Sequence, residues 1–212
     1  MGRWGVARTS LYELFDSEDF VFELPELTGM KALSLRLMLN RSLTASGTRN
    51  VQAHALVANF VRILDHCIRE YRSARNLLAN RKPTDSNGLL HDIQVASGHC
   101  EICIDRLHSA IRCLSVIRGH QHAPQKMKDL LPRTLTVIRG AVQDDVRDFR
   151  DAIQHRADRL KRGEPVKGHP FVVFPGQREI ALDNLRIRYT ELAKWLQELH
   201  QCGMLLVGYR EN

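Results

Sequence analysis

Arg150, Asp151 and His155 are the residues of this chain whose types and spacing best fit chemistry. They stand in the run Arg147-Asp148-Phe149-Arg150-Asp151-Ala152-Ile153-Gln154-His155-Arg156-Ala157-Asp158-Arg159. Residues four apart on a helix share a face, so the Asp151 carboxylate can orient and charge the His155 imidazole. Arg150 and Gln154 form the neighbouring row. An imidazole that titrates near neutrality beside fixed guanidinium groups suits transesterification of a phosphodiester. The histidine moves protons, and the arginine neutralises charge developing on phosphorus. No metal and no cofactor is needed for that chemistry. The bland alternative is an ion-pair row on the surface of a core helix.

Competing constellations are weaker. His99-Cys100-Glu101-Ile102-Cys103 contains a C-x-x-C, with His91 and His108 nearby. Zinc needs three or four convergent ligands, whereas these thiols sit mid-helix with no second C-x-x-C. They read as small residues on a packing face. Five cysteines are an odd count without framework spacing, which points to reduced thiols. Asp144 and Asp145 are adjacent, so they diverge around a helix and read as a solvated face. Trp4 and Trp195 read as packing residues. Gly-rich phosphate loops, nucleophile elbows and His-Glu-x-x-His are absent from the sequence.

These side chains need a scaffold, and the hydrophobic pattern predicts a helical one. Val51, Ala55, Ala58, Val61, Leu64, Ile68, Tyr71 and Leu78 recur at helical spacing from about Asn50 to Asn80. A turn-rich break precedes a second helix, from about Leu89 to Ile117. A third segment starts near Gln125, kinks or restarts at Pro132, and continues through Leu135, Ile138, Val142, Val146, Phe149 and Ile153 to about Arg162. Phe171–Phe174 and Glu179–Leu182 then suggest a small β-hairpin over about 170–182. A last helix runs from about Ile187 to Val207. The expected fold is all-α: an antiparallel bundle of about four long helices with a β-hairpin before the last. Residues 1–48 form an arm or short helices, with an aromatic-acidic patch from Tyr12 to Phe22, ahead of the bundle over 49–212.

Composition adds limits. No apolar run is long enough for a transmembrane helix, and MGRWGVARTS lacks a secretory apolar region, so the expected location is the cytoplasm. The net charge is +7, and 24 of the 31 basic residues are arginines. Arginine favours bidentate phosphate contacts, so a polyanionic partner fits.

The Arg150–His155 segment resembles the signature of the HEPN superfamily (higher eukaryote and prokaryote nucleotide-binding domains), an all-α bundle family. That signature is an Arg and a His separated by a short interval, with a polar residue following the Arg. Asn is the commoner residue there; Asp151 departs from it while keeping a polar group. Arg49 to His54 repeats the spacing at a linker–helix junction, and Arg162 to His169 crosses a Gly-Pro loop. Only Arg150 to His155 lies within a long amphipathic helix. The resemblance covers about residues 50 to 207. It implies a metal-independent endoribonuclease that forms a homodimer, bringing two motifs into one cleft, of bacterial toxin–antitoxin or antiviral-defence type. His155 would be the general acid/base, Arg150 would bind the scissile phosphate, and Asp151 would orient His155. Arg147, Arg156 and Arg159 would contact the RNA backbone, and an antitoxin or other protein partner is implied. The runner-up is a non-catalytic helical module binding a partner protein or nucleic acid. A helical transcription regulator fits less well, because the helices exceed those of a helix-turn-helix.

Overall fold

The computed structural model of the chain describes residues 22–44, 47–79, 86–163 and 178–211. Among these residues the protein is mostly helical, with a two-stranded antiparallel hairpin before the last helix. The helices are α1 (Leu33–Thr44), α2 (Val51–Ala79), α3 (Ser86–Gly119), α4 (Gln125–Asp129), α5 (Gly140–Lys161) and α6 (Tyr189–Gly208). Strands β1 (Glu179–Leu182) and β2 (Leu185–Arg188) separate α5 from α6. No helix among the described residues is long and apolar enough to cross a membrane.

The sequence starts α2 with a cap. The Asn50 side-chain oxygen accepts the Ala53 backbone N–H at 2.9 Å, which satisfies one donor left over at the helix start. Val57, Phe60, Leu64, Cys67, Tyr71 and Ala74 then fall on one buried face. Cys100, Cys103, Leu107, Ala110 and Leu114 of α3 form a matching face. Glu70 meets His99, Cys67 meets Cys103, and Asn59 meets Cys113. Numbers that fall on α2 while rising on α3 define an antiparallel pair. Each fully buried aliphatic side chain contributes about 1.5–3 kcal/mol of transfer free energy, so this seam is the centre of the core.

Helix α6 packs on that pair through Leu192, Trp195, Leu196, Leu199 and Leu206, all buried. A Cβ at Gly203 would run into the end of the Leu33 side chain, so glycine lets α1 pack closely on α6. Phe22, Leu24, Leu27, Met30 and Leu33 are buried in the same core, so residues 22–33 are part of the body. Helix α1, within the segment expected as an arm or short helices, starts at Leu33. The Asp65 carboxylate accepts the N–H groups of Leu33 and Ser34 at 2.9 and 2.7 Å and sets the helix start there. Tyr12, Leu14, Phe15 and Phe20 lie outside the described residues.

Two sequence expectations need correction. The helix expected to run through Leu135 and Ile138 does not form there; a 3-10 turn spans Thr136–Ile138, and α5 begins at Gly140. The Val137 N–H donates to Glu198 of α6 at 3.0 Å, a tertiary bond that competes with continuing the helix. The hairpin also lies downstream of its expected place. Glu179–Leu182 pairs with Leu185–Arg188 across the two-residue turn Asp183-Asn184, with Leu182 opposite Leu185. Asp183 takes φ 53°, a left-handed conformation that aspartate tolerates in tight hairpins. Phe171–Phe174 lies outside the described residues.

One charged group sits inside the α2–α3 seam. Glu70 accepts a hydrogen bond from His99 Nδ1 at 2.7 Å, and His66 Nε2 pairs with it at 3.0 Å. Burial pushes its carboxyl up, but the bonds from His99 and Arg69, with the charges of His99 and His66, outweigh burial and hold it below its ordinary value of 4.5. A depressed folded-state value stabilises the fold above the unfolded value, and that contribution is lost as pH falls through the folded value. Glu70→Gln should therefore flatten the acid limb of a melting-temperature profile below the ordinary glutamate range. An unchanged acid limb would remove Glu70 from that role.

Candidate functional site

Helix α5 presents two faces. Val146 and Phe149 are fully buried, and the partly buried Val142 and Ile153 extend their stripe. Gln143, Arg147, Arg150 and Gln154 step at helical spacing along the adjoining polar face. Across from it, α3 interrupts its apolar pattern with Glu101, Asp105, His108, Arg112 and Ser115, again at helical spacing. Two polar stripes therefore meet between α3 and α5.

At one end the stripes are closed by pairing. Arg156 donates to Glu101 at 3.1 Å, and Gln154 donates to Asp105 at 3.0 Å. Arg150 Nε stands 3.7 Å from Asp105, while Arg150 NH1 donates to Asp151 at 2.7 Å. At the other end they part into a groove of about 500 Å³. His108, Arg112 and Ser115 line it from α3, and Gln143, Arg147, Arg150 and Asp151 line it from α5.

The sequence-predicted residues divide across this arrangement. Arg147, Arg150 and Asp151 line the groove, with Arg147 paired to Asp144 at 3.0 Å and to Asp148 at 3.4 Å. His155 is exposed beyond the groove lining. Asp151 is hydrogen-bonded to Arg150, and among the described residues no hydrogen bond joins it to His155. That bond from Arg150 is the main reason the Asp151 carboxyl lies below its ordinary range; slight burial opposes it, and the charges of Arg150, His155 and His108 add to it. Arg156 is engaged with Glu101, and its side chain is only 15% exposed, so its guanidinium serves the α3–α5 contact. The side chain of Arg159 lies outside the described part of the structure.

Reading α5 alone misses two residues, both from α3. Arg112 is exposed and forms no ion pair with any described residue, leaving a free guanidinium at the groove. His108 is half-buried there. Burial, then the charges of Arg150 and Arg112, push its imidazole below the ordinary value of 6.5, against smaller opposing effects of Asp151 and Asp105. It is therefore neutral at neutral pH. The signal for both was the polar stripe itself, since Glu101, Asp105, His108, Arg112 and Ser115 recur at helical spacing on a largely apolar helix.

A second basic hollow, of about 420 Å³, lies beside α1 and α2 and includes Lys31, Arg62, His66 and Arg72. Most of its groups are already committed: His66 pairs with Glu70, Arg62 donates to Asn59, and Arg72 donates to the carbonyls of Leu27 and Met30. The α3–α5 groove instead combines free and partly free guanidinium groups with a neutral imidazole, which suits holding a phosphodiester and moving a proton beside it.

Fold and site thus define a mostly helical protein with an arginine–histidine groove between two of its helices. No family model matches the chain, and neither a curated protein nor a solved structure matches it.

Proposed function

We propose that this protein is a metal-independent endoribonuclease of the HEPN type. The observation that carries the reading is the α3–α5 groove, where Arg112, Arg147 and Arg150 gather beside His108, with Asp151 and His155 on the adjoining turns of α5. Arg150 is the scissile-phosphate ligand, because its fork reaches the groove while its own acidic partners hold it in place. Arg147 contacts the RNA backbone, and His155 carries a proton to or from the reacting oxygens. In this reading the long helices form an antiparallel bundle, two copies associate so that their motifs share one cleft, and a second protein restrains the nuclease in the cytoplasm.

Purified protein should cut single-stranded RNA in EDTA and leave 2′,3′-cyclic phosphate ends. If His155→Ala cuts as fast as the unmodified protein, His155 has been misassigned. If the unmodified protein leaves RNA intact, the ribonuclease reading fails.

One observation favours a second reading, a helical module that captures a protein partner. Leu35 and Met38 on one face of α1 are 60% and 68% exposed, and Leu39 beside them is also exposed. Met38→Glu would then abolish capture without affecting RNA.

A further inference from the structure

We propose that His108 of α3 is a second catalytic residue of the groove, the general base that takes the proton from the attacking 2′-hydroxyl of RNA. This rests on the ribonuclease reading of the same groove. Cleavage that forms a 2′,3′-cyclic phosphate needs two proton transfers. As the O2′–P bond forms, the 2′-hydroxyl must lose its proton. As the P–O5′ bond breaks, the electron pair goes to O5′, which must gain one. Within one groove, His155 alone does not serve both ends of an in-line displacement, because attacking and leaving oxygens lie on opposite sides of the phosphorus.

The structure places two imidazoles about one carboxylate. His108 and His155 both act on Asp151 through their charge, one from α3 and one from the next turn of α5. His108 lines the groove together with Arg150, whereas His155 stands outside the lining, one turn beyond Asp151 on α5. Three other imidazoles are committed: His99 bonds Glu70, His66 pairs with the same carboxylate, and His200 bonds the Lys31 carbonyl. Among the described residues no hydrogen bond occupies the His108 ring. Burial and the nearby guanidinium groups of Arg150 and Arg112 keep it unprotonated, the form a base requires. The cycle then balances. His108 takes the 2′-hydroxyl proton, His155 gives one to O5′, and exchange with water restores both rings.

The test compares the full-length protein with its His108→Ala, His108→Gln, His155→Ala and Arg150→Ala variants. The substrates are an ordinary RNA oligonucleotide and one whose scissile 5′-oxygen is replaced by sulfur, a leaving group that needs no proton. His108→Ala and His108→Gln should each cut the ordinary substrate at least about a hundredfold more slowly, the usual scale for a lost acid–base group. The sulfur substrate should restore the rate of His155→Ala and leave the His108 variants slow. Rescue of the His108 variants would make His108 the acid and overturn the base assignment. Full activity of those variants, with Arg150→Ala inactive, would remove His108 from catalysis while the ribonuclease reading stood. No cleavage by the unmodified protein would end both.

Discussion

Arg150→Ala should lower RNA cleavage by on the order of a thousandfold, the effect of removing one preorganised group that stabilises charge at the reacting centre. The loss should not come from unfolding. Arg150 pairs with Asp151 and Asp105 at a partly exposed position, and such pairs are worth at most about 1 kcal/mol. Arg150→Lys should fall between, since lysine keeps the charge but loses the planar fork. The substitution also has a consequence for protonation. Arg150 is one of the groups that disfavour a charged His108, with Arg112 acting alongside it and Asp151 and Asp105 acting against it. Without Arg150, His108 should hold its proton to higher pH, so the acid limb of any residual activity should move upward. Titration of the His108 ring by NMR measures this directly. Cleavage at the unmodified rate, or a His108 titration that does not move, would remove Arg150 from the groove's chemistry.

The periodicity of α5 is enough to place Val146 and Phe149 inward and Arg150 beside them, because the requirement to bury a stripe acts on one helix at a time. The groove depends on a different kind of information. Glu101, Asp105, His108, Arg112 and Ser115 form a polar face that the α3 sequence displays, but nothing within α3 says which helix covers it. That follows from register between elements dozens of residues apart, such as Gln154 on Asp105 and Arg156 on Glu101. His155 stood out because it shares a helix with Arg150, whereas His108 reaches Arg150 only through packing. The break before α5 has the same origin. Pro132 marks an interruption, but its length is set by Val137 reaching Glu198, a contact 61 residues away. The hairpin was different, because its information was local. The Asp183-Asn184 pair is a two-residue turn signal between the two strands it joins.

Phe149→Ala should have the largest effect on the fold near the groove, costing about 3–5 kcal/mol of stability, as for other buried Phe→Ala changes. Among the described side chains of α5, only Val146 and Phe149 are completely buried, so each is a large share of what holds this helix on the core. For a domain of this size, a loss of that scale should lower the melting temperature by on the order of 10 °C. Phe149→Leu keeps most of the volume and should cost about 1 kcal/mol. The contrast with Arg150→Ala separates scaffold from chemistry. Phe149→Ala leaves every groove residue in the sequence but loosens the helix that carries Arg147, Arg150 and Asp151. Its cleavage rate should therefore recover substantially on cooling or with a stabilising osmolyte, because both favour the packed state over one with α5 detached. Arg150→Ala should stay inactive under every condition in which it is folded. If Phe149→Ala melts like the unmodified protein, the α5 anchor is misplaced. If it melts low yet stays inactive when refolded by cooling, then the position of α5 depends on that ring in detail, and the groove's geometry is set to within the volume of a single side chain.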